Sequence, residues 1–337
     1  MSKPTYVSRG ELMTAADVAA SARFAPQLDR ILQGVSRQID KTMHREFFPT
    51  TATKTFFPEG RVDHDTKLWS FAVPDLLSVS SITVDTVALT SAQYRYLDLD
   101  DFGAPYDQVA LIGVSGTEIV AAGDWGYTNS TSTVGTLVGA VNDVVQTVVV
   151  SNSAAVSPGD MIGVATERMI VVEAGLADTG QNIGADIAAL TSADVVAVTT
   201  GSAYFLGETI VVGSERMTIT SIAGNTLIVE RAAQGSTLAA HVSGADIYAP
   251  RSLTVERGAT GSTAASQSAD AAVTRFLAPP PIRSLALGMA LVGYEQEKGA
   301  YGRVVGSGDG QREASGKGLW RIEQAAAVYR RVRVATV

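Results

Sequence analysis

The feature that most constrains this chain is that its middle repeats itself at two different offsets. Gly159-Asp160-Met161-Ile162, followed by Glu167-Arg168-Met169, returns 48 residues later as Gly207-Glu208-Thr209-Ile210 followed by Glu215-Arg216-Met217. Leu227-Ile-Val-Glu-Arg231 with Gly235-Ser-Thr237 returns 26 residues later as Leu253-Thr-Val-Glu-Arg257 with Gly261-Ser-Thr263. Fixed spacings of this kind mark duplicated supersecondary units. Val, Ile and Thr alternate with polar residues about Gly-rich turns, which predicts small β-barrel or β-sandwich subdomains.

Charge sets the same stretch apart. Residues 128–274 hold 5 Lys+Arg against 13 Asp+Glu and contain neither Lys nor Trp, with Tyr204, Phe205 and Tyr248 as their aromatics. Residues 1–127 hold 11 against 16 and residues 275–337 hold 10 against 5, so the outer parts cancel and the middle accounts for the net charge of -8. A composition break this sharp predicts an autonomous all-β repeat domain over 128–274, inserted into a core made of 1–127 and 275–337.

The outer parts read differently. Leu28, Ile31, Leu32, Val35, Ile39 and Met43 recur at helical spacing behind Pro26, predicting a helix over 25–45 that Phe47, Phe48 and Pro49 end. A shorter helix is expected over 15–21 with Thr14 as its cap. Short β-type runs follow at 53–57, 68–73, 79–84, 94–97 and 118–122. After Pro279-Pro280-Pro281, Ile282, Leu285, Met289 and Val292 form a helical stripe. A Gly-rich loop over 299–318 leads to a last helix over 319–333 that buries Leu319, Ile322, Ala326 and Tyr329 and displays Arg321, Arg330, Arg331 and Arg333. The fold class expected is α+β: N- and C-terminal helices around a small antiparallel sheet, with the inserted β-repeat domain.

Reactive chemistry finds little footing. With no Cys there is no disulfide, thiolate or Cys-based zinc site. His44, His64 and His241 show no metal-ligand spacing, and no G-x-S-x-G nucleophile elbow occurs. Gly310 to Gly318 has five residues between glycines where a phosphate loop has four, and Gly318 replaces the Mg²⁺-binding hydroxyl, so a flexible loop is expected. Asp98, Asp100, Asp101 and Asp107 lack the Gly and distal Glu of a calcium loop and are expected to form an exposed acidic turn. The Glu-Arg pairs at 167/168, 215/216, 230/231 and 256/257 put neighbours on opposite strand faces, which excludes a catalytic couple within a pair. They are expected to be cross-strand ion pairs or turn supports, worth at most about 1 kcal/mol each when exposed. No catalytic, metal-binding or cofactor-binding residue is assigned, no cofactor is expected, and the reading is non-enzymatic. The longest apolar run, 285–294, falls short of the ~20 residues that cross a bilayer, and the polar start has no signal-peptide core, so no membrane partner is expected.

The outer segments resemble the head-tail connector (adaptor) proteins of tailed phages, the gp6-like connector group. The match rests on Leu28-Asp-Arg-Ile-Leu-Gln-Gly-Val-Ser-Arg-Gln-Ile39 running into His44-Arg-Glu-Phe47, the strand over 68–73, Pro74-Asp-Leu-Leu-Ser-Val-Ser-Ser-Ile-Thr-Val84, the Tyr94 strand, and Gly123-Asp-Trp-Gly-Tyr127. In the family a Pro and helices soon follow such a strand; here Pro279 to Ile282 take that part after residues 128–274. The insert's G-[DE]-x-I and V-E-R-[GA]-x-x-G-[ST] repeats resemble β modules of phage structural proteins.

The resemblance implies a homo-oligomeric ring, a dodecamer, in the virion neck beneath the portal, assembled in the host cytoplasm. The C-terminal segment over 299–337 would engage the portal protein, the body would receive a tail or stopper protein, and DNA would pass through the lumen without specific binding. Portal contacts are expected at Trp320, Arg321, Tyr329, Arg330, Arg331 and Arg333, with 299–337 ordering on the portal. The subunit interface is expected at Leu28, Ile31, Val35 and Ile39. An acidic chain suits a conduit, since cationic contacts to phosphates would add affinity and friction. The competing reading is a tail-tip, baseplate or glycan-binding adhesion protein in which the repeats do the work; a polymer-clipping hydrolase has only scattered carboxylates in its favour.

Overall fold

Ser8 opens the first helix, α1 (Arg9–Ala15), with a capping box: its Oγ accepts the Glu11 N–H and the Glu11 carboxylate accepts the Ser8 N–H at 2.9 Å. This corrects the expected cap at Thr14, which sits in the helix's last turn and donates to the Gly10 carbonyl at 2.9 Å. The computed structural model describes residues 3–18, 24–57, 68–97, 104–298, 304–305, 312–313 and 319–331. The second helix, α2 (Ala25–Met43), has Pro in its first turn and stops where His44 turns left-handed at φ 55°.

Six strands follow: β1 (Thr50–Phe56), β2 (Trp69–Val84), β3 (Val87–Ala88), β4 (Tyr94–Leu97), β5 (Tyr106–Leu111) and β6 (Ile119–Trp125). They form an antiparallel sheet in the order β1-β6-β2-β5-β4, with β3 on β2. The runs expected at 68–73 and 79–84 are one strand, kinked where Asp75 takes φ 44° and the register shifts between Ala72 and Leu76. Trp69, Phe71, Leu76, Ile82, Leu111, Ile119 and Trp125 fill this sheet's own interior.

Ten strands make the second antiparallel sheet: β7 (Thr131–Thr136), β8 (Thr147–Val149), β9 (Met161–Val164), β10 (Glu167–Asn182), β11 (Val195–Ala197), β12 (Thr209–Val212), β13 (Glu215–Ala223), β14 (Thr226–Glu230), β15 (Asp246–Glu256) and β16 (Ala272–Phe276). Two apolar clusters divide it. One gathers Leu137, Val148, Ile162, Val164, Val171, Leu253 and Val273; the other gathers Ile183, Val196, Ile210, Val212, Ile219, Leu227 and Ile247.

The two clusters belong to two copies of one unit, matched bond for bond at the offsets read from the sequence. The Gly159 N–H donates to Val171 O at 2.8 Å, and Gly207 to Ile219 O at 2.8 Å. Val255 N–H reaches Gln146 O at 2.7 Å, and Val229 reaches Asp194 O at 2.8 Å. Val148↔Leu253 on β8 and β15 matches Val196↔Leu227 on β11 and β14. Left-handed turns repeat too: φ 60°, 50° and 80° at Gly258, Thr260 and Gly261 against 53°, 53° and 74° at Ala232, Gln234 and Gly235.

Their connectivity is nested. In the second unit β13 and β14 meet in a hairpin, Ala223↔Thr226, closed by Gly224 and Asn225. The matching pair in the first unit is Gly175↔Ser252 on β10 and β15, and between those two residues lies the whole second unit. The far halves of β10 and β15, paired as Asn182↔Asp246, match β7 and β16, paired as Thr136↔Ala272.

The chain returns to helix in α3 (Pro280–Lys298) and α4 (Leu319–Ala327). Ile282, Leu285, Ala286, Ala290 and Tyr294 of α3 are buried with Leu28, Ile31, Leu32 and Ile39 of α2, together with Tyr6, Phe47, Phe48 and Met161. This stripe keeps Ile282 and Leu285 of the expected one and adds Ala286, Ala290 and Tyr294 in place of Val292; Met289 packs against its side. Strand makes up 40% of the structure and helix 22%, so it is mainly β; the described residues hold these two antiparallel sheets, a two-stranded ladder that pairs Val304 with Glu313 and Val305 with Arg312, and four α-helices. The helices' cluster is separate from the interior of the six-stranded sheet. No helix among the described residues is long and apolar enough to cross a membrane.

Candidate functional site

Two buried carboxylates organise the β module, and both come from the repeated Glu-Arg dipeptides. Glu167 opens β10 and takes Arg257 Nε at 2.7 Å and Nη2 at 2.8 Å, the N–H groups of Gly258 and Ala265 at 3.1 Å each, and Gln267 Nε2 at 3.3 Å. Glu215 opens β13 and takes Arg231 Nε at 2.7 Å and Nη2 at 2.9 Å and the N–H groups of Ala232 and Ala239 at 3.0 Å each; its Oε2 lies 2.8 Å from His241 Nε2. Each guanidinium then donates onward to loop carbonyls, Asn142 and Val145 from Arg257 and Ala188 and Ala193 from Arg231. One fully buried acid thus staples three loops to a strand.

Burial alone would raise Glu215, yet Arg231, His241 and the two N–H donors outweigh it and hold the carboxyl down at about 2. Glu167 is lowered by the same balance, burial opposed by Arg257 and the Ala265 and Gly258 N–H groups. The acceptor capacity of both carboxylates is spent on the fold, which suits a structural staple and leaves no lone pair to take a substrate proton. Glu167 with Arg257 and Glu215 with Arg231 are the expected kind of contact, ion pairs between different dipeptides that also support turns; they are buried, so the value of about 1 kcal/mol for exposed pairs does not apply.

The other acids of the repeat clamp each unit to the chain before it. Asp160 meets Arg275 Nη2 at 2.8 Å, and the same nitrogen lies 3.0 Å from Glu11 of α1. Burial and the nearby Glu11 charge push Asp160 up to about 7 against the pull of Arg275. Glu208, its counterpart 48 residues on, takes Arg251 Nε at 2.8 Å and Nη2 at 2.7 Å and reaches back to Ser153 of the first unit, accepting from its Oγ at 2.8 Å.

The first unit is also knitted into the body. Thr5 N–H donates to Gly159 O at 3.0 Å, Arg9 N–H to Pro158 O at 2.9 Å, and Gly10 N–H to Ser157 Oγ at 2.9 Å. Arg9 spans Asp29 of α2 at 2.6 Å and Glu173 of β10 at 2.9 Å. Arg168 leaves β10 for the cross-strand pair Thr51↔Asp124 of the six-stranded sheet, 3.3 Å from Asp124 Oδ1 and hydrogen-bonded to Thr51. Gly261 packs so closely on Thr51 that a Cβ would collide with its carbonyl oxygen.

The sequence-selected contact residues fall in two groups. Leu28, Ile31 and Ile39 are buried inside the chain and Val35 packs against the same cluster, which corrects their assignment to a subunit interface. The solvent face of α2 is Arg30, Gly34, Gln38 and Lys41. At the C-terminus, Tyr329 is also engaged internally, its ring centroid 5.3 Å from Tyr127 and 6.1 Å from Phe47. Arg331 donates its N–H to Met43 O at 2.9 Å and Nη2 to Val73 O at 2.6 Å. Arg321 and Arg330 are exposed.

The Trp320 side chain, Arg333, His64, Asp98, Asp100 and Asp101 lie outside the described residues, as does most of 299–318. No group of three or more metal-ligating side chains occurs among the described residues. The sequence matches no protein-family model, no curated protein and no solved structure.

Proposed function

We propose that this chain is a structural subunit, a head-tail connector of a tailed phage, which closes into a homo-oligomeric ring under the portal and passes DNA without gripping it. The carrying observation is where the β module leaves and re-enters. Residues 128–274 separate the Gly-Asp-Trp-Gly strand from Pro279, yet Ser132 pairs with Arg275 and Leu277 N–H donates to Ser130 O at 2.9 Å. The module therefore departs and returns on neighbouring strands, as an insertion into an existing body does. That supports reading the outer segments as one unit in the connector order of helix, sheet and helices.

In this reading the helices and the six-stranded sheet form the ring body, and the module projects from it. The contact between subunits is heterologous, so it closes only if the rotation fits. The exposed α2 face of Arg30, Gly34, Gln38 and Lys41, in which Arg30 pairs with Glu297 of α3 at 2.8 Å, is offered for it, and the exposed Arg321 and Arg330 are offered for an acidic portal surface. Two buried, saturated carboxylate staples fit a load-bearing part better than a reaction centre.

Native mass measurement of the purified chain, alone and mixed with portal protein, tests this. Ring-sized particles in either state are expected; monomer alone in both, at working concentration, refutes the reading.

A further inference from the structure

The nested repeat says which part of the chain is separable, and it is a smaller part than composition marks out. Residues 128–274 contain both units, and the first is bound to the body through Gly159, Arg168, Glu173 and Asp160. The second unit touches the body through none of these. Its counterparts at those positions are Gly207, Arg216, Ser221 and Glu208; Gly207 and Ser221 are exposed, and among the described residues Arg216 bonds within its own unit, its side chain to Gln234 at 3.2 Å and its N–H to Ser236 Oγ at 2.9 Å.

We infer that residues 176–251 are a removable cassette, inserted where the second unit carries Gly224 and Asn225, and that the rest of the chain folds without it. Three observations carry this. The stretch holds a complete unit, since the far halves of β10 and β15 supply the strands that β7 and β16 supply to the first. Its two ends meet at Gly175↔Ser252, a ladder pair equivalent to the Ala223↔Thr226 pair that a two-residue turn closes in the copy. And its lock on the first unit is nearly self-contained: Glu208 and Arg251 leave together, and the partners left behind are Ser153 and the Val150 N–H, which donates to Arg251 O at 3.0 Å as the Val198 N–H does to Asn225 O at 2.9 Å in the copy.

The cassette is thus an outboard element whose exposed apolar side chains, Leu190, Val195, Leu206 and Val242, are spent neither on its own core nor on the body. The inference rests on the duplication and is independent of the connector reading, so either stands if the other fails.

The test replaces residues 176–251 by Gly-Asn, with Asp-Gly as a second join in case one turn is poor. A soluble chain with a cooperative melt within ~5 °C of the parent is expected, with the same particle mass after allowing for the deletion. Replacing all of 128–274 by a linker, in parallel, is expected to give insoluble or molten protein. The inference is overturned if both 176–251 deletions are insoluble or molten, or if the 128–274 deletion folds as well as the parent.

Discussion

Removing the carboxylate of Glu215 isolates the contribution of one staple. Glu215→Ala leaves Arg231, whose side chain is 1% exposed, without a counter-charge and strips the acceptor from the Ala232 and Ala239 N–H groups. Breaking a buried pair from one side costs about 3–5 kcal/mol, and each orphaned N–H about 1–3 kcal/mol. These losses overlap because the groups form one network, so about 5 kcal/mol is expected for the second unit. For a unit of this size that is a fall of roughly 20 °C or more. Urea denaturation reads it on two channels, because the β module contains no Trp while Trp69 and Trp125 sit inside the six-stranded sheet. The circular-dichroism transition should split, its early phase moving to much lower urea, while the Trp fluorescence transition stays in place. His241→Gln, which installs the residue found at the matching position 267, should cost less than about 1 kcal/mol. A loss below about 1 kcal/mol for Glu215→Ala, or equal movement of both channels, refutes the staple.

Further outcomes follow from the seams. Gly261 has φ +80° and no room for a Cβ against Thr51, so Gly261→Ala should loosen the first unit from β1, costing more than about 1 kcal/mol; faster hydrogen exchange in Thr50–Phe56 checks it. Asp160 holds its proton in the fold up to about 7 while the unfolded side chain releases it near 3.8. Between those values the native state binds more protons, so stability falls as pH rises through this window and levels off above it. Asp160→Asn should remove that slope, read as the difference in unfolding free energy between parent and variant from pH 4 to 8. Glu215, held at about 2, works the other way: its contribution is full above about 4.5 and drains away as pH falls through 2.

Local pattern carried much of the fold. The stripe from Leu28 to Met43 located α2 because a 3.6-residue period survives any tertiary context, and the offsets of 48 and 26 located both copies of the β unit. The order of the echoes also contained the nesting: both starts, at 159 and 207, precede both ends, at 227 and 253, as insertion of one unit between the halves of the other produces and a tandem repeat does not. Other features were out of reach. Whether an apolar helix face meets another subunit or α3 is decided by residues 280–298, far along the chain, so the period alone misassigned Leu28, Ile31 and Ile39. The β5 strand escaped because Val109-Ala110-Leu111-Ile112 runs without alternation. Ser8 and Glu11 stand at capping-box spacing in the sequence itself, a stronger helix start than Thr14. The staples needed three dimensions: each Glu-Arg dipeptide sends its two side chains to different partners, and only the fold says that Glu167 meets Arg257.

The pairing of α2 with α3 sets an order of events during synthesis. α2 ends at Met43 and α3 begins at Pro280, so at ~5–20 residues per second the ribosome takes roughly 10–50 s to deliver the second helix after the first. Throughout that interval Leu28, Ile31, Leu32 and Ile39 have no α3 to cover them, while the six-stranded sheet and then the nested β units are already complete. The nascent chain therefore carries a bare apolar ridge beside finished β structure, and chaperones that shield such ridges should set the yield of this protein more strongly than the stability of its final state.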